Sequence, residues 1–109
     1  MTVNDLIKTE KFEGVTLPDG DREINGAYIG DLLSWVMGNA SQDNAWITIM
    51  SNINVVAVAS LIDVACVILA EGVTLEDEVK AAAQNKGINV VSTAASAYET
   101  AVMLSSLGV

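Results

Sequence analysis

Residues 45–70, AWITIMSNINVVAVASLIDVACVILA, decide the fold, because three apolar runs follow one another across short polar breaks. AWITIM (45–50) and VACVILA (64–70) are continuous apolar runs of strand length, whereas NVVAVASLI (54–62) is predicted to be a helix. Continuous apolar strands that alternate with helices are typical of a parallel sheet covered on both faces. The segment therefore predicts a strand–helix–strand unit of an α/β protein.

The same alternation extends in both directions along the chain. Towards the C-terminus it predicts an amphipathic helix at 75–86 that ends at Gly87, a strand at 88–91 and a helix at 97–107 that ends at Gly108. Towards the N-terminus it predicts a helix from Val3 to Thr9 capped by Thr2, strands at 12–17 and 24–29 around the turn PDGD, and a helix, LLSWVM (32–37), capped by Asp31. We expect a three-layer α/β/α fold with a mostly parallel sheet, as one domain over residues 1–109.

Charge and cysteine content exclude several classes of partner. The 109 residues include 14 acidic and 5 basic side chains, a formal net charge of -9. Binding to nucleic acid or to anionic membrane requires clustered Lys and Arg, so we expect neither partner. Cys66 is the single cysteine and allows no intrachain disulfide, and MTVNDLIKTE (1–10) has no signal-peptide core, so we expect a cytoplasmic protein.

Catalytic motifs are absent from the sequence. Without histidine there is no Ser-His-Asp triad and no zinc site built from His and Cys. There is no GxxxxGK[ST] or GxGxxG motif, and one cysteine cannot hold an iron–sulfur cluster. Cys66 lies in an apolar run and is predicted to be a buried strand residue. We therefore expect no enzyme activity, cofactor or metal.

The uncharged stretch from Asn44 to Ile62 approaches the length of a membrane-spanning helix. Ser51, Asn52 and Asn54 interrupt it, which favours a buried strand, a turn and a helix over a membrane span.

Small polar residues follow the predicted strands. Ligands of open α/β sheets bind at the carboxyl ends of the strands, where helix N-termini favour anions. The alternative is that Asp31, Asn52 or Asn54, Thr74 and Ser96 only cap helices, as the Ser96–Glu99 capping box indicates. The candidate ligand-binding residues are Arg22, Asp31, Thr48, Ser51, Asn52, Asn54, Glu71, Gly72, Thr74, Ser92, Thr93 and Ser96.

Two further features leave alternatives open. LLSWVM and NVVAVASLI are apolar nearly all round, which predicts deep burial, either against a second subunit in a homo-oligomer, which we favour, or in a tightly packed monomer. Arg22 is the only basic residue between Lys11 and Lys80. We favour a structural role for Asp21 and Arg22 at the turn after LPDG over binding of a ligand.

Four segments together resemble a DRTGG domain, a family similar to the non-catalytic N-terminal domain of HPr kinase/phosphorylase and, in fold, to N-terminal domains of Mur ligases. They are Asp21-Arg22 with Ile24 and Gly26, AWITIM, ILAEGVTLEDEV, and INVVSTAASAYETA with Thr93, Tyr98, Glu99 and Ala101 in the expected places. The sequence departs from the pattern at Glu71, which replaces the first residue of a Gly-Gly pair, and at Ala97, which replaces a hydroxyl residue.

The resemblance implies a regulatory or assembly role, since DRTGG domains accompany CBS-domain pairs, phosphotransacetylases and HPr kinases. Our first hypothesis is a non-enzymatic module that binds an anionic small molecule or nucleotide at the strand ends. The second is a structural module that oligomerises or docks a redox enzyme, such as an iron-only hydrogenase. An enzyme is the third and least favoured.

Overall fold

Five strands form one sheet in the computed structural model, which describes all 109 residues. The strands are β1 (Glu13–Thr16), β2 (Gly26–Ile29), β3 (Asn44–Thr48), β4 (Cys66–Leu69) and β5 (Val90–Ser92), in the spatial order β1-β5-β4-β3-β2. The helices are α1 (Val3–Lys8), α2 (Leu33–Asn39), α3 (Ile53–Ile62), α4 (Asp77–Asn85) and α5 (Ala97–Ser106). Strands β2 to β5 are parallel and β1 is antiparallel to β5, which confirms the predicted mostly parallel sheet.

Each face of the sheet carries its own apolar core. Side chains alternate along a strand, so Trp46 points to a core built with α2, α3 and α4, while Ile47 points to one built with α1 and α5. Trp46 and Ile47 are both fully buried, as are Leu6 of α1 and Leu104 of α5. Helices therefore cover both faces, and the three-layer prediction is confirmed.

Two predicted helix starts are confirmed by reciprocal hydrogen bonds. Thr2 and Asp5 form a capping box on α1, and the backbone N–H of Thr2 holds the pKa of the Asp5 carboxyl below its usual value. Ser96 and Glu99 form the same box on α5. At α3 the side chain of Asn52 accepts from the amide of Asn54, so Asn52 is the cap.

Two predicted caps are wrong. Helix α2 begins at Leu33, and the Asp31 carboxylate instead accepts the Thr48 hydroxyl at 2.7 Å and the Ile49 amide at 3.0 Å. This carboxylate joins the end of β2 to the end of β3. The local sequence around Asp31 does not indicate that its partners are Thr48 and Ile49. Helix α4 begins later than expected, with Glu76 rather than Thr74 at the cap position.

Within a single chain the two apolar helices are each buried on one face only, and their burial against a second subunit stays a prediction. Val36 of α2 and Val55 and Val56 of α3 are buried, but Trp35 is 64% exposed and Leu61 is 73% exposed. Both helices lie in an outer layer of the chain, with one face on the sheet and the other on the surface of the chain. In a short helix that is apolar nearly all round, the sequence does not indicate which face packs on the sheet. No helix of the chain has the length and apolar character needed to cross a bilayer.

Candidate functional site

A surface groove lies at the edge of the sheet where the parallel strands end. Because β1 runs antiparallel to β5, its first residue joins this edge, and Glu13 is paired with Ser92. The groove has a volume of about 350 Å³ and a shallower extension of about 240 Å³ that shares part of its wall. We call both together the edge groove; its lining includes Glu10, Lys11, Glu13, Gly72, Val73, Thr74, Lys80, Ser92, Thr93 and Ala94.

Four of the residues selected from the sequence meet in the edge groove. Gly72 and Thr74 reach it from the loop after β4, and Ser92 and Thr93 reach it from the end of β5. Two short loops on neighbouring strands thus contribute three residues that carry hydroxyl groups to the lining. These groups can donate to, or accept from, a polar ligand.

The loop after β4 has an unusual backbone. Glu71 and Gly72 both have left-handed φ values, 61° and 71°. Their amides donate to the Ala95 carbonyl at 2.8 Å and the Thr93 carbonyl at 2.9 Å, which ties this loop to the one after β5. Glycine adopts this conformation readily and glutamate does so at a cost. This backbone conformation explains why the DRTGG pattern has a Gly-Gly pair here. Glu71 keeps the left-handed conformation although it is not a glycine.

The helix N-termini at this edge are less available to an anion than the sequence indicates. In the first turn of α5 the Glu99 amide donates to Ser96, and just before the helix the Ala95 amide donates to Thr93. The first turn of α4 carries the carboxylates of Asp77 and Glu78, which repel anions. Positive charge at the edge groove therefore comes from side chains.

Two of the four lysines border the edge groove. Lys11 precedes β1 and lines the larger part, and Lys80 on α4 lines the extension. Glu10 and Glu13 line the same groove, so its charge is mixed. The sequence analysis did not select these two lysines and two glutamates, because β1 and α4 lie far apart in the chain. Only the antiparallel direction of β1 brings Lys11 to this edge.

The other candidates at this edge lie outside the groove or are already engaged. Thr48 is buried, donates to Asp31 and accepts the Met50 amide at 3.1 Å. Ser51 and Asn52 line a separate depression of about 330 Å³ between α3 and α4, beside Glu76 and Glu78. Glu71 and Asn54 are exposed outside the edge groove, and Ser96 caps α5.

Arg22 lies at the opposite edge of the sheet, where the parallel strands begin. Its Nε donates to Asp43 Oδ1 at 2.9 Å, its Nη1 to Asp63 Oδ1 at 2.7 Å, and its Nη2 to the Asp63 carbonyl at 2.6 Å. Gln42 donates to the second oxygen of Asp63 at 2.9 Å. The guanidinium lowers the pKa of the Asp63 carboxyl, and the hydrogen bond to Asp63 in turn raises the pKa of Arg22.

These contacts give Arg22 a structural role with distant partners. Asp43 and Asp63 precede β3 and β4, and both have left-handed φ values, 66° and 65°. Arg22 therefore fixes the entry of two adjacent strands, in addition to the local bond from its amide to the Asp19 carbonyl at 3.2 Å. Asp21 makes no pair with it and accepts from Asn4 at 3.0 Å.

Neither a reactive thiol nor a set of metal ligands is found in the structure. Cys66 is buried in β4, and burial raises the pKa of its thiol to about 12. This is the inert strand residue that the sequence predicts. No three side chains among Cys, Asp and Glu come together as a set of metal ligands.

Comparison with known proteins gives a family and a fold. The sequence pattern of the DRTGG domain matches residues 19–107. The fold is similar to the regulatory region of Clostridium perfringens pyrophosphatase, its CBS and DRTGG domains, solved with the activator diadenosine tetraphosphate; the TM-score is 0.72 at 16% identity. The match covers 94% of this chain and 45% of that one, so the chain spans under half of that region. No curated protein sequence matches significantly.

Proposed function

We propose, since this chain belongs to the DRTGG domain family, that it is a regulatory domain that binds a phosphate-bearing small molecule, such as a nucleotide, in the edge groove. One observation carries the proposal. In a chain with only five basic residues, Lys11 and Lys80 both border a groove whose lining includes Thr74, Ser92 and Thr93.

The size and charge of the groove indicate the class of ligand. Small-molecule sites occupy about 300–1,000 Å³, and the larger part of the edge groove, about 350 Å³, lies at the low end of that range. Lysine ammonium groups bind phosphate as point charges. Glu10 and Glu13 can accept hydrogen bonds from sugar hydroxyls or amino groups. A ligand that carries both kinds of group fits this lining better than inorganic phosphate does.

The regulatory and non-enzymatic parts of the proposal have separate support. The edge groove contains lysine, glutamate and hydroxyl side chains but no histidine or cysteine, and no hydroxyl in it is paired with a base. The solved pyrophosphatase region is regulatory and binds a dinucleotide, which favours a nucleotide as the first ligand to test. We propose further that residues 1–109 act as one domain, in the cytoplasm.

The first test is thermal denaturation in the presence of nucleotides and phosphorylated metabolites. A ligand at a hundred times its Kd adds about 2.7 kcal/mol to the free energy of unfolding. For about 100 residues, 1 kcal/mol shifts Tm by roughly 4–8 °C, so a shift of about 10 °C or more is expected.

The lysines provide the matched control. Lys11→Met with Lys80→Met should remove the shift, whereas Lys86→Met, a lysine beyond the end of α4 and outside the edge groove, should retain it. No shift with any phosphorylated compound would contradict the proposed ligand class. An equal shift in the double variant would contradict the proposed site.

An assembly role is the second candidate, and the exposed apolar side chains of α2 and α3 favour it. Docking of a redox enzyme and similarity to HPr kinase stay predictions. A pull-down with a purified iron-only hydrogenase tests the first of these, and Leu61→Glu, which places a charge on the exposed face of α3, should abolish any such complex.

A further inference from the structure

The two edge strands of the sheet differ in how they are protected. An edge strand presents unpaired N–H and C=O groups, and natural proteins block such edges with charges, irregular pairing or short length. β1 carries Glu13, and its register shifts between Gly14 and Thr16. β2, Gly26-Ala27-Tyr28-Ile29, pairs with β3 in unbroken register and contains neither a charge nor a proline. Its short length is the only one of these protections that it has.

The helices that pack against β2, one on each face of the sheet, expose apolar side chains. On one face α2, which packs against β2 and α3, exposes Leu32 at its start, Trp35 and Met37. On the other face α5, which packs against β2 and β3, exposes Tyr98, at 77%, and Val102 one turn later. β2 contributes Ile29, which is 47% exposed, and the residue directly after β3 contributes Ile49, which is 48% exposed. We call this surface the β2 edge surface: Leu32, Trp35, Met37, Tyr98, Val102, Ile29 and Ile49.

Charge is nearly absent from the part of the chain that forms most of this surface. Asp31 and Asp43 are the only charged residues between Ile24 and Ile62, in a chain whose formal net charge is -9. Two copies of so acidic a chain repel each other at any charged surface. They can approach at this neutral one, where the repulsion is weakest.

We propose that the β2 edge surface binds a second copy of this chain. Antiparallel pairing of β2 with its own counterpart about a two-fold axis satisfies the open backbone groups and makes one continuous ten-stranded sheet. The axis brings α2 against its counterpart on one face and α5 against its counterpart on the other. Each surface is used once and closes on itself, which is the commonest form of homo-oligomer.

The area of the surface agrees with a stable dimer. Trp35 and Tyr98 alone offer on the order of 250 Å², from the area of such rings scaled by their exposed fractions. Five aliphatic side chains add to this. A standard interface covers about 800 Å² of each partner, which this surface and its polar rim can supply.

The test is the molar mass of the chain in solution, measured by light scattering and by sedimentation from 5 to about 100 μM, a range chosen around typical weak-dimer affinities. The unmodified chain should have twice its mass of 11.4 kDa. Ile29→Lys and Ala27→Lys should each raise the dimer Kd about a hundredfold or more, because like charges meet across the axis. Lysine makes the chain less acidic, so a general increase in repulsion cannot cause this loss.

Leu61→Lys is the matched control, since Leu61 is an exposed leucine on α3 outside the β2 edge surface. It should leave the dimer intact. A monomer at about 100 μM, a dimer that survives both β2 variants, or a dimer lost only with Leu61→Lys would overturn the proposal. Far-UV circular dichroism checks the fold of each variant. Hydrogen exchange on the unmodified chain is independent of any variant: protection of the β2 amides should increase with concentration, and no increase counts against the proposal.

Discussion

Arg22→Met should lower the free energy of unfolding by about 2–3 kcal/mol, because it removes the three hydrogen bonds by which the guanidinium ties the loops before β3 and β4 to each other. Methionine keeps most of the side chain's apolar stem and removes the guanidinium. The variant therefore tests the hydrogen bonds of the guanidinium rather than the packing of the side chain.

The magnitude follows from the exposure of the partners. Hydrogen bonds to charged groups contribute about 1.5–3 kcal/mol each when isolated, and their effects are not additive within one cluster. The Arg22 side chain is only 17% exposed, but the carboxylates of Asp43 and Asp63 are 40% and 53% exposed and regain water when the partner is lost. We therefore expect less than the about 3–5 kcal/mol that follows from breaking a fully buried pair.

Urea and thermal denaturation measure this change, with Lys86→Met as the control. That variant also removes one positive charge, and Lys86 makes no salt bridge, so it should change stability by under about 0.5 kcal/mol. Arg22→Lys should recover only part of the loss, since an ammonium cannot contact both carboxylates and the Asp63 carbonyl in the same planar geometry. If Arg22→Met is as stable as Lys86→Met, the structural role of Arg22 is refuted.

The same contacts predict a pH dependence. Arg22 lowers the pKa of Asp63 in the folded state, so this stabilisation is complete above the ordinary value of 3.8 and is lost as the pH falls through the lowered value. The difference in stability between the natural chain and Arg22→Met should be constant from pH 7 to 5 and shrink below pH 4, near the unfolded carboxyl pKa. A difference that grows on acidification would contradict this cause.

Three further predictions concern single positions. Glu71→Gly should raise the free energy of unfolding by about 0.5–1 kcal/mol, because glycine adopts the left-handed conformation without the steric cost that glutamate has there. Gly72→Ala should lower it by about 1 kcal/mol, because alanine acquires that cost at Gly72. Urea denaturation that shows the opposite signs would contradict the assigned backbone conformation. Ser96→Ala should cost about 1 kcal/mol through loss of the α5 capping box, with Ser105→Ala, near the exposed end of the same helix, as a near-neutral control. Cys66 should react with a thiol reagent only as fast as the chain unfolds, and rapid labelling without urea would show that β4 opens locally.

Local patterns predicted the elements well, because their signals lie within a few residues. The capping boxes at Thr2 and Ser96 mark two helix starts, and the apolar runs within β3 and β4 mark two buried strands, without reference to the rest of the chain. The position of the loops that follow the strands was also predictable, since parallel strands end at one edge of the sheet.

Strand order and long-range partners could not be predicted. No pattern in β1 indicates that it pairs antiparallel with β5, and so none indicates that Lys11 meets the Thr93 loop. Arg22 bonds to residues in two later loops, and Asp31 to the end of β3, at distances along the chain where local propensity carries no information. These contacts depend on topology, which composition and periodicity leave open.

The pairing of Glu13 with Ser92 also sets an order of events in folding. β2, β3, β4 and β5 can assemble from neighbouring strand–helix units, whereas β1 waits until almost the whole chain is available, because closing so long a loop is entropically costly and slow. β1 supplies Glu13, Gly14 and Val15 to the lining of the edge groove, and Glu10 and Lys11 come just before it. If the proposed ligand binds in the edge groove, we expect it to slow the release of β1 and to leave the rate at which the other strands assemble unchanged.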